Sequence, residues 1–513
     1  MSMLFALLLL AQGLPSAGSN RQLRSPPPPP PPGPPNVLLI VVDDMGVDQV
    51  GCYAQNYPAL EIQPCTPNID ALAASGMRFT NAWSNSVCSP TRATLMTGRQ
   101  TRHTGVGTIT GDPNLPSFNF GLQLDQPTLP KLLTGHTSVA VGKWHLSDYD
   151  FDLENVQHPI ELGFESFAGS LYNLDTAYND WTKTVYPEDL TFPNYFVYAT
   201  VDTAEDALQR IDTLPEPWFT YVAFNASHEP LHCPLSEGFP PEAAPSGSCS
   251  TDWCNQCETL LTTPPYNGMF PDVVESRALG QSVDAEIGRL LAAIDPAKTA
   301  VILVADNGSS LRTVTPPFPS QHSKGTVFQG GVNVPLIVRA PGGLTGSCHE
   351  LVSMADIYAT LADLCEVPLT ADPQRDSVSL TQYVDPAHVL SAPAPRTHVY
   401  TEFFGPNFKP DANGDPPGDF VALWHHRAVR NATHKVMHLR DWNAQIGQCV
   451  DRILFYQLAD QPPQDPALGP DPQEQLDLML DPSSWSPETT VAFEQLMGLL
   501  ETTYPALPVG NCP

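Results

Sequence analysis

The chain has 513 residues, which at about 100–200 residues per domain allows one large domain and a smaller one. Apolar residues make up 42%, enough to bury a sizeable core, and this excludes wholesale disorder. Against 24 Lys and Arg stand 55 Asp and Glu, a formal charge of −31, which excludes a general nucleic-acid binder and predicts repulsion from anionic lipid.

Residues 1–20 carry the apolar run Leu4–Ala11, then Gly13-Leu14-Pro15 and the small residues Ser16-Ala17-Gly18. That is the layout of a secretory signal peptide and predicts a secreted, extracellular protein, with periplasm or lysosomal lumen as alternatives. The run is shorter than the ~20 apolar residues that span a bilayer, and no later stretch supplies them, so no membrane span is expected. Residues 21–35 form a Pro-rich linker. Its run Pro26–Pro32, with Gly33-Pro34-Pro35, predicts an extended polyproline II spacer reaching about 30 Å.

From Asn36 the texture changes. Val37–Val42 is a continuous, β-branched apolar run, and similar runs recur at Ser138–Val141, Phe219–Phe224, Ala300–Ala305 and Val334–Val338. Such runs predict strands buried on both faces. Helix-like stretches lie between them at Asn68–Ser75, Ala93–Met96, Thr203–Ile211 and Ser282–Ala293. The alternation predicts an α/β domain over 36–390, with a mostly parallel central sheet flanked by helices. In 391–513 shorter strands are expected at His398–Phe404, Ala422–Arg430, His434–Leu439 and Ile453–Leu458. A closing helix follows at Pro487–Thr502, with Val491, Phe493, Leu496, Leu499 and Leu500 as its buried stripe. This reads as a smaller α+β domain.

In a parallel sheet the ligand site lies beyond the carboxyl ends of the strands. Here those ends read Asp43-Asp44, Lys143-Trp144-His145, Asn225-Ala226-Ser227-His228 and Asp306-Asn307-Gly308. One acidic strand end is a solvated turn; four that deliver complementary chemistry to one edge point to a site. Asp43, Asp44, Asp306 and Asn307 are hard oxygen donors, suited to Ca²⁺ or Mg²⁺ better than to zinc. Singly, they also read as a helix cap and an Asp-Asn-Gly turn.

The 11 cysteines include Cys233, Cys249, Cys254 and Cys257, a cluster that suits zinc or, in an oxidising compartment, disulfides. Three segments fit the glycan acceptor pattern, at Asn225, Asn307 and Asn431. A metal-binding Asn307 and a cleft-side Asn225 leave Asn431 as the acceptor.

The segment Cys88-Ser89-Pro90-Thr91-Arg92-Ala93-Thr94-Leu95-Met96-Thr97-Gly98-Arg99 resembles the sulfatase signature, C-x-P-x-R followed by L-x-T-G-R. The resemblance runs from Asn36 to about Met479. It takes in Gly142-Lys143-Trp144-His145-Leu146, His228-Glu229-Pro230-Leu231, Ala305-Asp306-Asn307-Gly308, Lys324 and Gly330-Gly331-Val332-Asn333-Val334-Pro335. Asp356-Ile357-Tyr358-Ala359-Thr360-Leu361 and Leu454-Phe455-Tyr456-Gln457-Leu458 continue it. Ser147 departs from a usual glycine, Leu132–His136 looks shortened, and Gln329 stands where an acidic residue is frequent.

The resemblance implies an alkaline-phosphatase-like fold and an arylsulfatase-like hydrolase of a sulfate monoester. It implies that a formylglycine-generating enzyme converts Cys88 to formylglycine. It further implies a cation, Ca²⁺ ahead of Mg²⁺, on Asp43, Asp44, Cys88, Asp306 and Asn307. Arg92 would stabilise the aldehyde hydrate, and Lys143 and Lys324 would grip the sulfate. His228 would protonate the leaving oxygen of a sulfated small molecule or saccharide, and His145 would take the proton that drives sulfate release. His322, near Lys324, is a further candidate, and His232 a decoy. The rival readings are a phosphonate or phosphate monoester hydrolase of the same superfamily, or a binding protein that retains the fold. With Cys88 converted, the ten remaining cysteines suffice for five disulfides. Oligomeric state is left open.

Overall fold

The computed structural model describes residues 33–54, 63–110, 120–148, 153–174, 176–187, 190–240, 251–263, 271–385, 396–443, 445, 447–458, 474 and 476–510. The expected signal peptide, most of the Pro-rich linker and the 390/391 boundary lie outside the described residues.

The large sheet contains β1 (Asn36–Val42), β2 (Met77–Trp83), β3 (Thr137–Gly142), β4 (Ser166–Gly169), β5 (Trp181–Tyr186), β6 (Leu190–Tyr195), β7 (Trp218–Phe224), β8 (Thr299–Ala305), β9 (Leu336–Arg339) and β10 (Gly346–Ser353). Their order is β10-β2-β9-β8-β1-β7-β3-β4-β5-β6. The three continuous apolar runs β1, β7 and β8 occupy the middle, buried along their whole length. They pair in parallel with Val42 opposite both Phe224 and Ala305, while Gly142 of β3 stands opposite Ala223. That register brings Asp43, Lys143, Asn225 and Asp306 off the sheet at one level. The sheet is mostly parallel, as expected.

One strand corrects the reading. The run Val334–Val338 forms β9 over Leu336–Arg339, and β9 is antiparallel to β8 and β2 rather than parallel. Apolar character reports burial, which is the same for either strand direction.

Helices cover the sheet in groups. Pro271–Ala293 packs on Ala199–Thr213 and on Pro67–Ser75, and Asp356–Leu364 packs on Cys88–Thr97. Cys88–Thr97 is buried at every position and ends at Gly98, whose left-handed φ of 69° lets its N–H reach Thr94 O.

A second, antiparallel sheet holds β11 (Val399–Gly405), β12 (Trp424–Arg430), β13 (His434–Asn443) and β14 (Gln448–Gln457) in that order. Helix Pro487–Thr502 closes it, started by Ser486, whose side chain accepts from Thr489 N–H. Leu496 and Leu500 pack against Tyr400, Val429, Val436 and Phe455. Val491, expected in that stripe, is 50% exposed; Ala492 is buried in register with Leu496 and Leu500 at the four-residue spacing.

Full disulfide pairing of the cysteines is not what the structure holds. Cys233 joins Cys257, but Cys52, Cys254, Cys348 and Cys365 are buried free thiols. Cys254 sits inside the cluster read as disulfides, so that cluster is only partly cross-linked. Among the described residues no helix is long and apolar enough to cross a membrane.

Candidate active site and metal centre

The strand ends meet as the register requires. Asp43 and Asp44 leave β1, Asp306 and Asn307 leave β8, and both pairs are buried. Two close backbone approaches build this edge. A Cβ at Gly142 would sit 1.9 Å from Ala223 O, and one at Gly308 would sit 1.8 Å from Gly330 O. Gly142 also has φ +86°, so the turn into Lys143 favours glycine twice over. Asp44 (φ 55°) and His145 (φ 56°) adopt the left-handed region without glycine's freedom, a local strain of the kind that clusters at functional sites.

Cys88 is the first residue of its helix, where backbone N–H groups have no helical partner. Its Sγ–H donates to Asp43 Oδ1 at 3.4 Å, and Lys143 Nζ lies 3.7 Å from Sγ. Lys143 Nζ also donates to Asp43 Oδ2, and Lys324 Nζ lies 2.6 Å from Asp44 Oδ1. Arg92, one turn into the helix, is fully buried. Its Nε and Nη2 donate to Asp306 Oδ2 at 3.0 and 2.8 Å, and Nη2 also meets Asp43 Oδ2 at 3.2 Å. Its Nη1 donates to Lys143 O at 2.9 Å and to Tyr221 OH at 3.4 Å. Arg92 thus ties the carboxylates of β1 and β8 together.

Ligand atoms of Asp43, Asp44, Cys88 and His228 all lie within 4.8 Å of one another. Asn307 Nδ2 donates to Asp44 Oδ1 at 2.7 Å and to Gly308 O at 2.9 Å. Asn307 Oδ1 is left buried with no hydrogen-bond partner among the described residues. An orphaned carbonyl oxygen beside clustered carboxylates is a donor set that fits a hard divalent cation.

The electrostatics agree. Burial works against the Asp43 carboxylate, but Lys143, with His228, Arg92 and Lys324, holds its pKa well below the usual range. Asp44 and Asp306 move up, chiefly through burial, with the like charge of Asp43 adding to it. Three buried carboxylates on one edge are each costly to keep ionised, and a cation bound among them would favour the ionised forms. Burial, then Asp43, pushes the Cys88 thiol up. Lys324 is raised well above its ordinary value: burial opposes this, but Asp44, Cys88 and Asp43 outweigh it.

The two histidines have defined ring orientations. His145 Nε2 lies 3.1 Å from Thr110 O and therefore carries the hydrogen, which leaves Nδ1, buried and unpartnered among the described residues, as the basic nitrogen. His228 Nδ1 lies 2.8 Å from Glu229 O, so Nε2 is the nitrogen that exchanges a proton. Burial, with Lys143 and Arg92, lowers His145 well below its ordinary value. Burial, then Lys324 and Lys143, brings His228 down to about 3.

Other candidates fall away. His232 is held between Tyr198 OH (2.9 Å) and Pro230 O (2.8 Å), and His322 stacks on Phe328 with centroids 3.7 Å apart. Asn225 is buried and donates to Ser170 Oγ at 3.1 Å, which excludes it as a glycan acceptor. Residue-by-residue reading missed Tyr221 on Arg92 and Thr110 on His145. It also missed Asp48, whose carboxylate fixes the loop after Asn307 through Ser309 Oγ (2.7 Å) and Thr315 N–H (2.8 Å). Tyr221 was within reach, since its hydroxyl is one of the few polar groups in the mostly apolar β7.

The family model "Sulfatase" matches residues 35–367. The chain is 28% identical to arylsulfatase A of Homo sapiens over 476 residues, 88% of this chain and 85% of that protein. It is 29% identical to N-acetylgalactosamine-6-sulfatase of Sus scrofa over 376 residues, 66% of this chain and 64% of that protein. The solved structure of the PsFucS1 sulfatase from Pseudoalteromonas sp. shares the fold, with a TM-score of 0.58, 20% identity and coverage of 93% of this chain and 92% of that one. With a matched model over most of its length, and carboxylates, lysines and a cysteine clustered at one sheet edge, the chain belongs to the sulfatase family of sulfuric ester hydrolases.

Proposed function

We propose that the chain hydrolyses an aryl or carbohydrate sulfate monoester, with Cys88 converted to formylglycine and a divalent cation, Ca²⁺ ahead of Mg²⁺, bound beside it. The observation that carries this reading is the meeting of Asp43, Asp44, Cys88 and His228 within 4.8 Å, with Lys143 3.7 Å from the sulfur. As a thiol, Cys88 is a poor nucleophile: burial and Asp43 keep its proton on at neutral pH, and the thiolate is the reactive form. Converted to formylglycine, the residue supplies a hydrated aldehyde, whose two hydroxyls on one carbon serve attack at sulfur and later release of sulfate.

Asp43, Asp44, Asp306 and Asn307, with residue 88, would hold the cation. When bound, it supplies polarisation of the nucleophile and neutralisation of sulfate oxygens. Asp43, Asp44 and Asp306 balance Arg92, Lys143 and Lys324, so a divalent cation leaves a positive site inside a chain of net charge −31. Lys143 and Lys324 grip sulfate oxygens as point charges, and the helix N-terminus at Cys88 favours the same anion. Arg92 would stabilise the aldehyde hydrate by way of the carboxylates it aligns. Burial, then the charges of Lys324 and Lys143, hold His228 down; an anionic substrate offsets those charges, and the ring so protonated would hand a proton from Nε2 to the leaving oxygen, its Nδ1–H held on Glu229 O. His145 takes up, at Nδ1, the proton released as sulfate departs.

The acidic exterior repels long polyanions, which favours a small or singly sulfated substrate. The sequence supports export through residues 1–20, a linker over 21–35, domains over 36–390 and 391–513, and maturation by a formylglycine-generating enzyme. Asn431 suits a glycan: its exposed turn is closed by Thr433 N–H and His434 N–H on Asn431 Oδ1, at 2.9 and 2.7 Å.

Mass spectrometry of the Cys88 peptide from the native host tests the reading; the aldehyde is expected, and a wholly unmodified thiol refutes it. Rates on aryl sulfate and aryl phosphonate complete the test. Preference for phosphonate replaces the reading with a phosphonate or phosphate monoester hydrolase. Turnover of neither by modified protein leaves a binding protein.

A further inference from the structure

We infer that Lys435 and Glu474 form a buried positioning pair that sets the distance between the segment carrying Lys324 and the segment leading to Cys88. Lys435 stands on β13, in the small sheet, and is fully buried; Glu474 is buried beside it. Lys435 Nζ donates to Glu474 Oε1 at 2.5 Å and to Val327 O at 2.6 Å, and it lies 4.8 Å from the centre of the Trp83 ring. Glu474 Oε2 accepts from Gln329 N–H at 2.5 Å, and Gln329 Oε1 accepts from Trp83 Nε1–H at 2.9 Å. One ion pair therefore grips the backbone on both sides of Phe328 and, through Gln329 and the indole, the end of β2.

The two gripped segments are joined along their length. Ser84 N–H donates to Val332 O at 2.8 Å, and Gly325 N–H donates to Ser86 O at 2.8 Å. Lys324 lies at the near end of this seam beside Gly325, and Cys88 lies two residues past Ser86. The pair closes the far end. Removing two charges from water is costly, and packed apolar side chains would give equal or better stability there. What an apolar pair lacks is a donor for Val327 O and an acceptor for Gln329 N–H, the two bonds that fix the register of the seam. The roles are those of positioning residues, since neither side chain reaches the Cys88 cluster.

The inference rests on the reading of Lys324 as a sulfate-gripping residue, so Lys324→Ala is measured first. A rise in KM for aryl sulfate sustains that reading; an unchanged KM removes it, and this proposal with it, while leaving the pair's contacts as plain structure. The variant Lys435→Met/Glu474→Gln then removes both charges, so that neither is left buried alone, and takes the donor from Val327 O. The expected result is a folded enzyme with kcat within about 3-fold, KM up about 10-fold, and weaker inhibition by inorganic sulfate in the same proportion. Amide exchange should accelerate at Gly325–Gln329. A folded double variant whose KM stays within about 2-fold overturns the proposal. If that variant does not fold, Lys435→Gln decides: its shorter amide keeps a donor beside Glu474 but gives up Val327 O, and a KM within about 2-fold there overturns the proposal equally.

Discussion

At the edge of the large sheet, Asp43, Asp44 and Asp306 face Arg92, Lys143 and Lys324, and the group is left incomplete: Asn307 Oδ1 and His145 Nδ1 have no partner among the described residues. On the small sheet, Glu402 is as deeply buried and lacks nothing. Its Oε1 accepts from Thr101 Oγ1 (2.8 Å) and Arg102 N–H (2.9 Å), and its Oε2 accepts from Tyr400 OH (2.9 Å) and His425 Nε2 (2.9 Å). His425 Nδ1 in turn accepts from Leu507 N–H at 2.9 Å. A carboxylate with four donors has no capacity left for a ligand; it ties the segment after the Cys88 helix to the small sheet. Spare capacity marks the place for chemistry, and saturation marks the place for structure.

The contrast can be broken from either side. Lys143→Ala removes a fixed cation from the incomplete cluster, and kcat/KM on an aryl sulfate should fall about 10³-fold. A smaller fall than 10-fold would show that Lys143 merely neutralises Asp43. Chelation followed by dialysis should lower activity about 10²-fold, and Ca²⁺ at 100 times its dissociation constant should restore it and add about 2.7 kcal/mol of stability. Calorimetry with and without Ca²⁺ reads that gain, and no shift in melting temperature would argue against a cation on these residues.

The saturated cluster should respond in the opposite sense. Glu402→Gln weakens charge-assisted hydrogen bonds worth about 1.5–3 kcal/mol each, so the melting temperature should drop by several degrees while kcat/KM changes by less than about 3-fold. Its pH dependence follows from two depressed groups. Burial holds His425 down at about 4, against the pull of Glu402. Glu402 sits at about 2, because His425, Arg102 and Thr101 together overcome the effect of burial. Both bind fewer protons folded than unfolded, so their stabilisation is complete at neutral pH and is lost on acidification. It declines first from about 6.5 towards 4 with His425, then from about 4.5 towards 2 with Glu402. Melting temperature against pH for wild type and Glu402→Gln checks this; coincident acid limbs would refute it. The smallest effect belongs to Asn431→Gln, which should remove any glycan mass and shift stability by less than about 0.5 kcal/mol.

The incomplete cluster was legible because its groups follow continuous apolar runs, and a run buried on both faces announces where its strand ends. The saturated cluster was not. Glu402 meets Thr101 across 301 residues of sequence, and no periodicity connects positions that far apart. Lys435 and Glu474 were invisible for the same reason, and Lys324 was reached only through resemblance, since its loop has no periodic pattern. Strands β2 and β10 were passed over because polar residues interrupt them, as in Met77-Arg78-Phe79-Thr80. Cysteine parity failed for a geometric reason: an even count says nothing about whether two Cβ atoms come within bonding reach.

The central position of β1 also sets a timetable. Cys88 is 1% exposed in the folded protein, so the modifying enzyme of the proposed reading would have to reach it before the sheet closes. Closure waits for β8, because Arg92 finds its main partner, Asp306, only 214 residues later in the chain. At about 5–20 residues per second of synthesis, that interval is on the order of 10–40 s. In the reading proposed above, a strand order that inserts late sequence between early strands keeps Cys88 within reach of its maturation enzyme for that long.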